Sequence, residues 1–212
     1  MPRRNPKSIV IAVPKGRVLD QLGGRLQKAG ISTTALTADS RKLVREDQES
    51  GLVYLLLKPD DVPTYVEYGA ADLGIVGRDV LMERNYDVFA PVDLEIGKCR
   101  LMVCGRPDEP IAGRRERPLR VATKFLNVSE QYFRAKGIPV ELIFCQGSVE
   151  LAPLTGLADV IVDLVETGET LRQNGLVPLE KIADISSVVI ANRAALKLRR
   201  EAIEPILDAL RA

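Results

Sequence analysis

The sequence predicts an α/β protein built from two similar lobes, and three observations carry that expectation. Short continuous apolar runs, among them Ile9 to Val13, Leu52 to Leu57, Val140 to Phe144 and Val160 to Val162, alternate with stretches of helical periodicity. That is the pattern of buried parallel strands joined by crossover helices. A segment repeats: Gly69-Ala70-Ala71-Asp72 enters Leu73 to Val76, and Gly156-Leu157-Ala158-Asp159 enters Val160 to Asp163. Likewise Ile11-Ala12-Val13-Pro14-Lys15 has a shorter echo in Val121-Ala122-Thr123-Lys124, so each lobe starts on a lysine-tipped strand and ends on a Gly-x-Ala-Asp strand. The third observation is bulk composition, 46% apolar and 28% charged over 212 residues, which suits a folded protein with buried cores. We place residues 1–97 plus 184–212 in the first lobe and 98–183 in the second. The strand at Ser187 and the last helix are expected to return to the first lobe, so that two chain crossings form a hinge. Facing lobes leave a cleft, where small-ligand sites concentrate.

Taken in order, Ile9 to Val13 runs into Pro14-Lys15-Gly16-Arg17 and a helix with Val18, Leu19, Leu22 and Leu26 on one face, ending at Gly30. Lys15 and Arg17 thus stand at the end of a first strand beside a helix N-terminus, where they either meet an anion or face solvent. Ser40-Arg41-Lys42 follows a polar stretch without periodicity. After the strand Leu52 to Leu57, Asp60-Asp61-Val62-Pro63 reads as a helix start with a carboxylate N-cap, and Tyr65 and Val66 are expected to face inward. Gly69 ends that helix, and the segment to Gly77 enters a short strand whose own glycines permit close approach of a ligand backbone or base. Phe89 to Ile96 and Leu101 to Cys104 are further strands. The loop from Arg106 to Arg120, with five arginines and three prolines, reads as solvent-exposed. Arg120 to Thr123 opens the second series, with Asn127 and Glu130 as a capping pair and Val128, Tyr132 and Phe133 as the buried face. Val140 to Phe144 follows, then a short helix opened by Gly147-Ser148 and containing Glu150. Ser187 to Ala191 is the last strand, and Leu196, Ile203, Ile206, Leu207 and Leu210 stripe one C-terminal helix.

Composition removes whole classes of chemistry. There is no histidine, which excludes serine–histidine and cysteine–histidine nucleophile pairs, histidine zinc sites and histidine general bases. Cys99, Cys104 and Cys145 are an odd number without metal spacing and read as core thiols. With 30 basic and 29 acidic side chains there is no general pull toward nucleic acid or membrane, so any anion site is local. The apolar runs are too short to cross a bilayer and no apolar signal follows the basic start, which makes the cytoplasm the expected compartment.

The stretch Ala158 to Leu176 is where a ligand site is expected. Asp163 closes a buried parallel strand, and Glu166-Thr167-Gly168-Glu169-Thr170 turns the chain into a helix at the edge where open α/β sheets bind ligands. Gly168 permits close approach of backbone, and Thr167, Thr170 and the free amides of a helix start form a concave anion site. Asp163 and Glu166 are acceptors suited to paired sugar hydroxyls, so the stretch asks for a ribose 5-phosphate. The same residues also make an ordinary threonine-capped connection.

Several motifs in one order decide between these. P-K-G-R at Pro14 to Arg17, S-R-K-L at Ser40 to Leu43, D-V-P-x-Y-V at Asp61 to Val66, G-A-A-D-L-G-I-V-G at Gly69 to Gly77, G-S-V-E-L-A-P at Gly147 to Pro153 and D-L-V-E-T-G-E-T-L at Asp163 to Leu171 closely resemble the short-form catalytic subunit of the ATP phosphoribosyltransferase family. The resemblance runs from about Ile9 to Pro205. It implies two α/β lobes of the periplasmic-binding-protein type (type II) with a cleft between them. It also implies attack of N1 of ATP on C1 of phosphoribosyl pyrophosphate, with pyrophosphate leaving together with Mg2+. By similarity, Glu166, Thr167, Gly168, Glu169 and Thr170 would hold the 5-phosphate and Glu150 and Asp163 the ribose hydroxyls. Lys15, Arg17 and Arg41 would surround the polyphosphates, with Arg17 and Arg41 as catalytic groups on the departing pyrophosphate. The chain ends at Ala212, after a helix that still belongs to the catalytic lobes. The short form then implies a separate regulatory subunit similar to a histidyl-tRNA synthetase, assembled with catalytic homodimers into a hetero-oligomer. Another class of phosphoribosyltransferase carries two adjacent acids before its Thr-Gly turn, whereas here Asp163 is followed by Leu164. A cytoplasmic two-lobed anion-binding or effector-sensing domain would use the same architecture for capture alone.

Overall fold

The computed structural model describes residues 8–38, 40–109, 111 and 117–211, with all their side chains except those of Arg17 and Thr37. The chain divides into two compact units. One takes the described residues up to Leu81, Asn85–Gly97 and the described residues from Ser186; the other takes Met82–Arg84 and Lys98–Ile185. The first passage gives β1 (Ile9–Pro14), α1 (Arg17–Lys28), α2 (Thr34–Thr37), β2 (Val44–Glu46), β3 (Leu52–Leu57), α3 (Val62–Glu67), β4 (Leu73–Gly77), α4 (Arg78–Glu83) and β5 (Val88–Asp93). The second unit follows with β6 (Cys99–Gly105), β7 (Leu119–Thr123), α5 (Leu126–Ala135), β8 (Val140–Phe144), α6 (Leu151–Thr155), β9 (Val160–Val165), α7 (Glu169–Gln173) and β10 (Val177–Ile185). The chain then supplies β11 (Ser187–Asn192), α8 (Arg193–Leu198) and α9 (Arg200–Arg211) to the first unit.

The two sheets share one plan. The first runs β2-β3-β1-β4-β11-β5 and the second β10-β6-β9-β7-β8. In the first, β3, β1 and β4 are parallel and β11 joins antiparallel to β4. In the second, β8, β7 and β9 are parallel and β6 joins antiparallel to β9. Side chains repeat the plan. Asp72, just before β4, accepts the Val10 amide at 2.8 Å and pairs with Arg199 at 2.7 Å. Asp159, just before β9, accepts the Arg120 amide at 2.9 Å and pairs with Arg117 at 2.7 Å. The repeated Gly-x-Ala-Asp segment is therefore a clasp that ties the start of each unit's leading strand to its third parallel strand. The buried carboxylate is tolerated because it is both paired and hydrogen-bonded.

Alternation along the central strands builds a core on each sheet face. Ile9, Ile11 and Val13 of β1 pack with Leu22 and Leu26 of α1, while Val10 and Ala12 pack with Val62 and Val66 of α3. In the second unit Leu119 and Val121 of β7 meet Val128 and Phe133 of α5, and Ala122 meets Ala152 of α6 and Leu171 of α7.

Several expectations are corrected. The C-terminal stripe is two helices, because Arg199 breaks from helical geometry and reaches Asp72 and the Ser8 carbonyl, the latter at 2.7 Å. Tyr65 is 40% exposed and only Val66 points inward. Asp61 takes the N-cap position of α3 without a side-chain cap bond. Asn127 and Glu130 form no capping pair: the N-cap residue of α5 is Phe125, and the Asn127 and Val128 amides donate to Glu83 at 3.0 and 3.1 Å. Glu150 precedes α6 as its N-cap residue and is not within it. Of the three cysteines only Cys104 is fully buried; Cys99 and Cys145 are half-buried.

Candidate functional site

The parallel strands β7, β8 and β9 end at Thr123, Phe144 and Val165, and the segments that follow β8 and β9 enclose a cavity of about 210 Å3. Its lining comprises Glu150 and the unbroken run from Asp163 to Leu171. Seven residues singled out from the sequence, Glu150, Asp163, Glu166, Thr167, Gly168, Glu169 and Thr170, thus come together in one place. The strand carries two residues further than expected, to Val165, whose buried side chain anchors the turn before it opens at Glu166. Gly168 then adopts φ 77°, ψ 7°, a left-handed conformation that costs a residue with a Cβ roughly 1–2 kcal/mol. The first bond of α7 runs from the Arg172 amide to the Gly168 carbonyl at 3.0 Å, so the amides ahead of it have no acceptor within the helix. Thr167 Oγ1 receives the Glu169 amide at 3.3 Å.

Glu150 is presented by the turn after β8, in which Ser148 holds φ 48°. A non-glycine residue held left-handed beside a cavity marks a backbone set by something other than local preference. Asp163 sits in β9 opposite Met102 of β6. Burial first, then the charges of Asp163 and Glu150, push the Cys104 thiol up to about 12, which leaves it protonated and inert at neutral pH. Glu169 is turned out of this group: Arg172 reaches its carboxylate at 2.6 and 3.0 Å and Gln173 at 2.8 Å, and the Arg172 hydrogen bonds hold it below the usual carboxylate range. The cavity is therefore lined on one side by the Thr167–Thr170 turn and on the other by the carboxylate residues Glu150, Asp163 and Glu166.

The remaining residues lie in the first unit. Lys15 follows β1 directly, is exposed, and donates its amide to the Leu57 carbonyl at 3.0 Å. Arg41 is exposed in the segment before β2, where the Leu43 carbonyl accepts the Leu56 amide at 2.8 Å. Both therefore flank the carboxyl end of β3. Arg17 opens α1, and its side chain lies outside the described residues.

Gly74 and Gly77, the glycines of β4, have a packing role. A Cβ at Gly74 would stand 2.7 Å from Val66 Cγ2 and 2.8 Å from Val62 Cγ1, and one at Gly77 would stand 2.1 Å from Asp79 Oδ1. At these positions the space a side chain would take is filled by the valines of α3 and by the Asp79 side chain. Lys124, the echo of Lys15 in the second unit, places its Nζ 4.7 Å from the Phe125 ring centroid. Among the described residues no group of three or more acidic or cysteine side chains is placed to hold a metal, and no helix is long and apolar enough to cross a membrane.

Comparison with known proteins places the chain among relatives. Residues 58–212 match the family model for HisG, ATP phosphoribosyltransferase. The ATP phosphoribosyltransferase of Sorangium cellulosum is 50% identical over 206 residues, covering 97% of this chain and 96% of that protein. That of Citrifermentans bemidjiense is 51% identical over 210 residues, covering 97% and 98%. Among solved structures, the ATP phosphoribosyl transferase HisG:HisZ complex from Thermotoga maritima contains a chain with TM-score 0.81 and 35% identity, covering 95% of this chain and 96% of that one. The periplasmic aliphatic sulphonate binding protein SsuA from Escherichia coli matches with TM-score 0.59 at 14% identity over 97% of this chain and 72% of its own, a likeness of fold alone.

Proposed function

This chain belongs to the ATP phosphoribosyltransferase family in its short form, and from that premise we propose how its residues divide the reaction. The enzyme moves the phosphoribosyl group of phosphoribosyl pyrophosphate to N1 of the adenine of ATP and releases pyrophosphate, the first step of histidine biosynthesis. The observation that carries the residue assignment is that one cavity is lined by a left-handed glycine turn and by Glu150, Asp163 and Glu166.

In our reading the 5-phosphate sits on the amides and hydroxyls of Thr167 to Thr170, while Glu150 and Asp163 accept the ribose hydroxyls, with Glu166 beside them. Fixing the sugar at both ends aligns C1 with the incoming adenine, and such alignment supports up to ~7–11 kcal/mol of barrier lowering. As the bond to pyrophosphate breaks, negative charge grows on the leaving group. Lys15 helps surround the polyphosphates, while Arg17 and Arg41 meet that charge, and a well-placed donor contributes about 3–4 kcal/mol there. No residue needs to accept or donate a proton while the bond breaks, so a chain without histidine can run this chemistry. The hard carboxylate oxygens of Glu150 and Asp163 fit Mg2+. When bound it neutralises leaving-group charge.

The solved neighbour from Thermotoga maritima is a HisG:HisZ complex. We assign this chain an analogous regulatory subunit, similar to a histidyl-tRNA synthetase, joined to catalytic homodimers in the cytoplasm. The test of the reaction is direct: the purified chain mixed with ATP, phosphoribosyl pyrophosphate and Mg2+ releases pyrophosphate in step with a new nucleotide. Tight capture of one anion without turnover would return the chain to the sensor reading.

A further inference from the structure

Arg41 stands exposed in a segment that has little regular structure of its own. The helix ahead of it, α2, is four residues long and too short to satisfy its own carboxyl end. One side chain gathers this segment. Arg45, half-buried on β2, has its backbone fixed opposite Tyr54 in the ladder with β3. Its Nη1 donates to the carbonyls of Leu36 at 2.7 Å, Ala38 at 3.0 Å and Ala35 at 3.2 Å. Its Nη2 donates to the Ser40 carbonyl at 2.6 Å and its Nε to the Lys42 carbonyl at 3.3 Å. Ser40 and Lys42 are the two neighbours of Arg41, so the guanidinium brackets that residue from both sides. The other end of the segment is anchored two positions along the chain from Arg45, where Asp47 accepts the Ser32 hydroxyl at 2.9 Å and the Ala35 amide at 3.4 Å.

We propose that Arg45 is a positioning residue for Arg41, holding the backbone on both sides of it so that its guanidinium is presented in one orientation at the carboxyl end of β3. The proposal rests on the assignment of Arg41 to the departing pyrophosphate. A planar fork with five N–H bonds can collect carbonyls spread from Ala35 to Lys42, whereas a lysine ammonium has three donors around one point. The position is therefore selective for arginine by geometry and not by charge. An arginine that acts on leaving-group charge must be in place before the bond breaks, since misplacement of a catalytic group by about 1 Å costs on the order of a hundredfold.

The experiment measures kcat, KM and thermal melting for wild type, Arg41→Ala, Arg45→Lys, Arg45→Ala and the double variant Arg41→Ala/Arg45→Lys. Arg45→Lys keeps the charge and most of the stem and carries the test if Arg45→Ala does not fold. The expected result is a kcat lowered roughly tenfold in Arg45→Lys with KM near wild type, and less than about a twofold further loss when the same change is added to Arg41→Ala. Losses that multiply in the double variant would show that Arg45 acts independently of Arg41 and would overturn the proposal. So would a lowered melting temperature in Arg45→Lys with wild-type kcat, the mark of a purely structural residue. Full turnover by Arg41→Ala alone would remove the assignment of Arg41, a failure read from that single variant and distinct from failure of the bracket.

Discussion

Replacing Gly168 separates the turn's conformation from its role as a phosphate cradle. At φ 77° an L residue pays roughly 1–2 kcal/mol of backbone strain. A Cβ added there meets only Val165 Cγ1, at 3.7 Å, which is ordinary contact. Gly168→Ala should therefore fold, since a domain has about 5–15 kcal/mol to lose. Gly168→Val carries the same strain, a further penalty for β-branching, and two methyl groups on the wall of a cavity of about 210 Å3. If the phosphate sits on the turn, at least two charge-assisted hydrogen bonds are lost, each worth about 1.5–3 kcal/mol. The summed loss of about 3–6 kcal/mol corresponds to a weakening of donor binding by at least ~100-fold. Calorimetric titration with phosphoribosyl pyrophosphate, with circular dichroism to confirm folding, measures it. A folded Gly168→Val protein with wild-type affinity would refute the phosphate assignment.

Four further outcomes are expected. Arg17→Ala and Arg41→Ala should lower turnover more than they weaken binding, with about a hundredfold loss for at least one; a change confined to KM would make them ground-state clamps. The Arg117 hydrogen bonds, with the Arg120 amide, hold the Asp159 carboxyl well below its ordinary value of 3.8. Its stabilisation is complete above that pH and is lost as pH falls below it toward the lower folded value, so the melting temperature of the wild type should drop more steeply below about pH 4 than that of Asp159→Asn. Equal slopes would show that the clasp contributes nothing. Cys104, buried and with its thiol pushed up to about 12, should resist alkylation at neutral pH in the native protein while the half-buried Cys99 and Cys145 react, as peptide mass spectrometry would show. Finally, the chain alone should be insensitive to millimolar histidine and become sensitive with its regulatory partner; strong inhibition of the chain alone would count against control by a separate subunit.

Reading the chain in one dimension was enough wherever a local pattern reports one physical requirement. The fully buried β1, whose alternate residues feed two cores, reads as a continuous apolar run, and the turn at Gly168 announces itself through glycine and threonine chemistry. The Gly-x-Ala-Asp repeat also showed at the level of letters, although its purpose as a clasp on Val10 and Arg120 did not. Where the pattern depends on distant partners the letters were silent. β10 was missed because register shifts between Pro178 and Glu180 and between Lys181 and Ala183 spoil a period of two, leaving Val177, Leu179, Ile182 and Ile185 at uneven spacing. The C-terminal stripe reads as one helix because its break is made by Arg199 reaching Asp72, a residue 127 positions away. Gly74 looks like an opening for a ligand until the valines of α3 are seen to occupy it. The polar stretch before Arg41 shows no periodicity, and Arg45 and Asp47 reach carbonyls, amides and hydroxyls on either side of it. Only the folded backbone brings those groups to them.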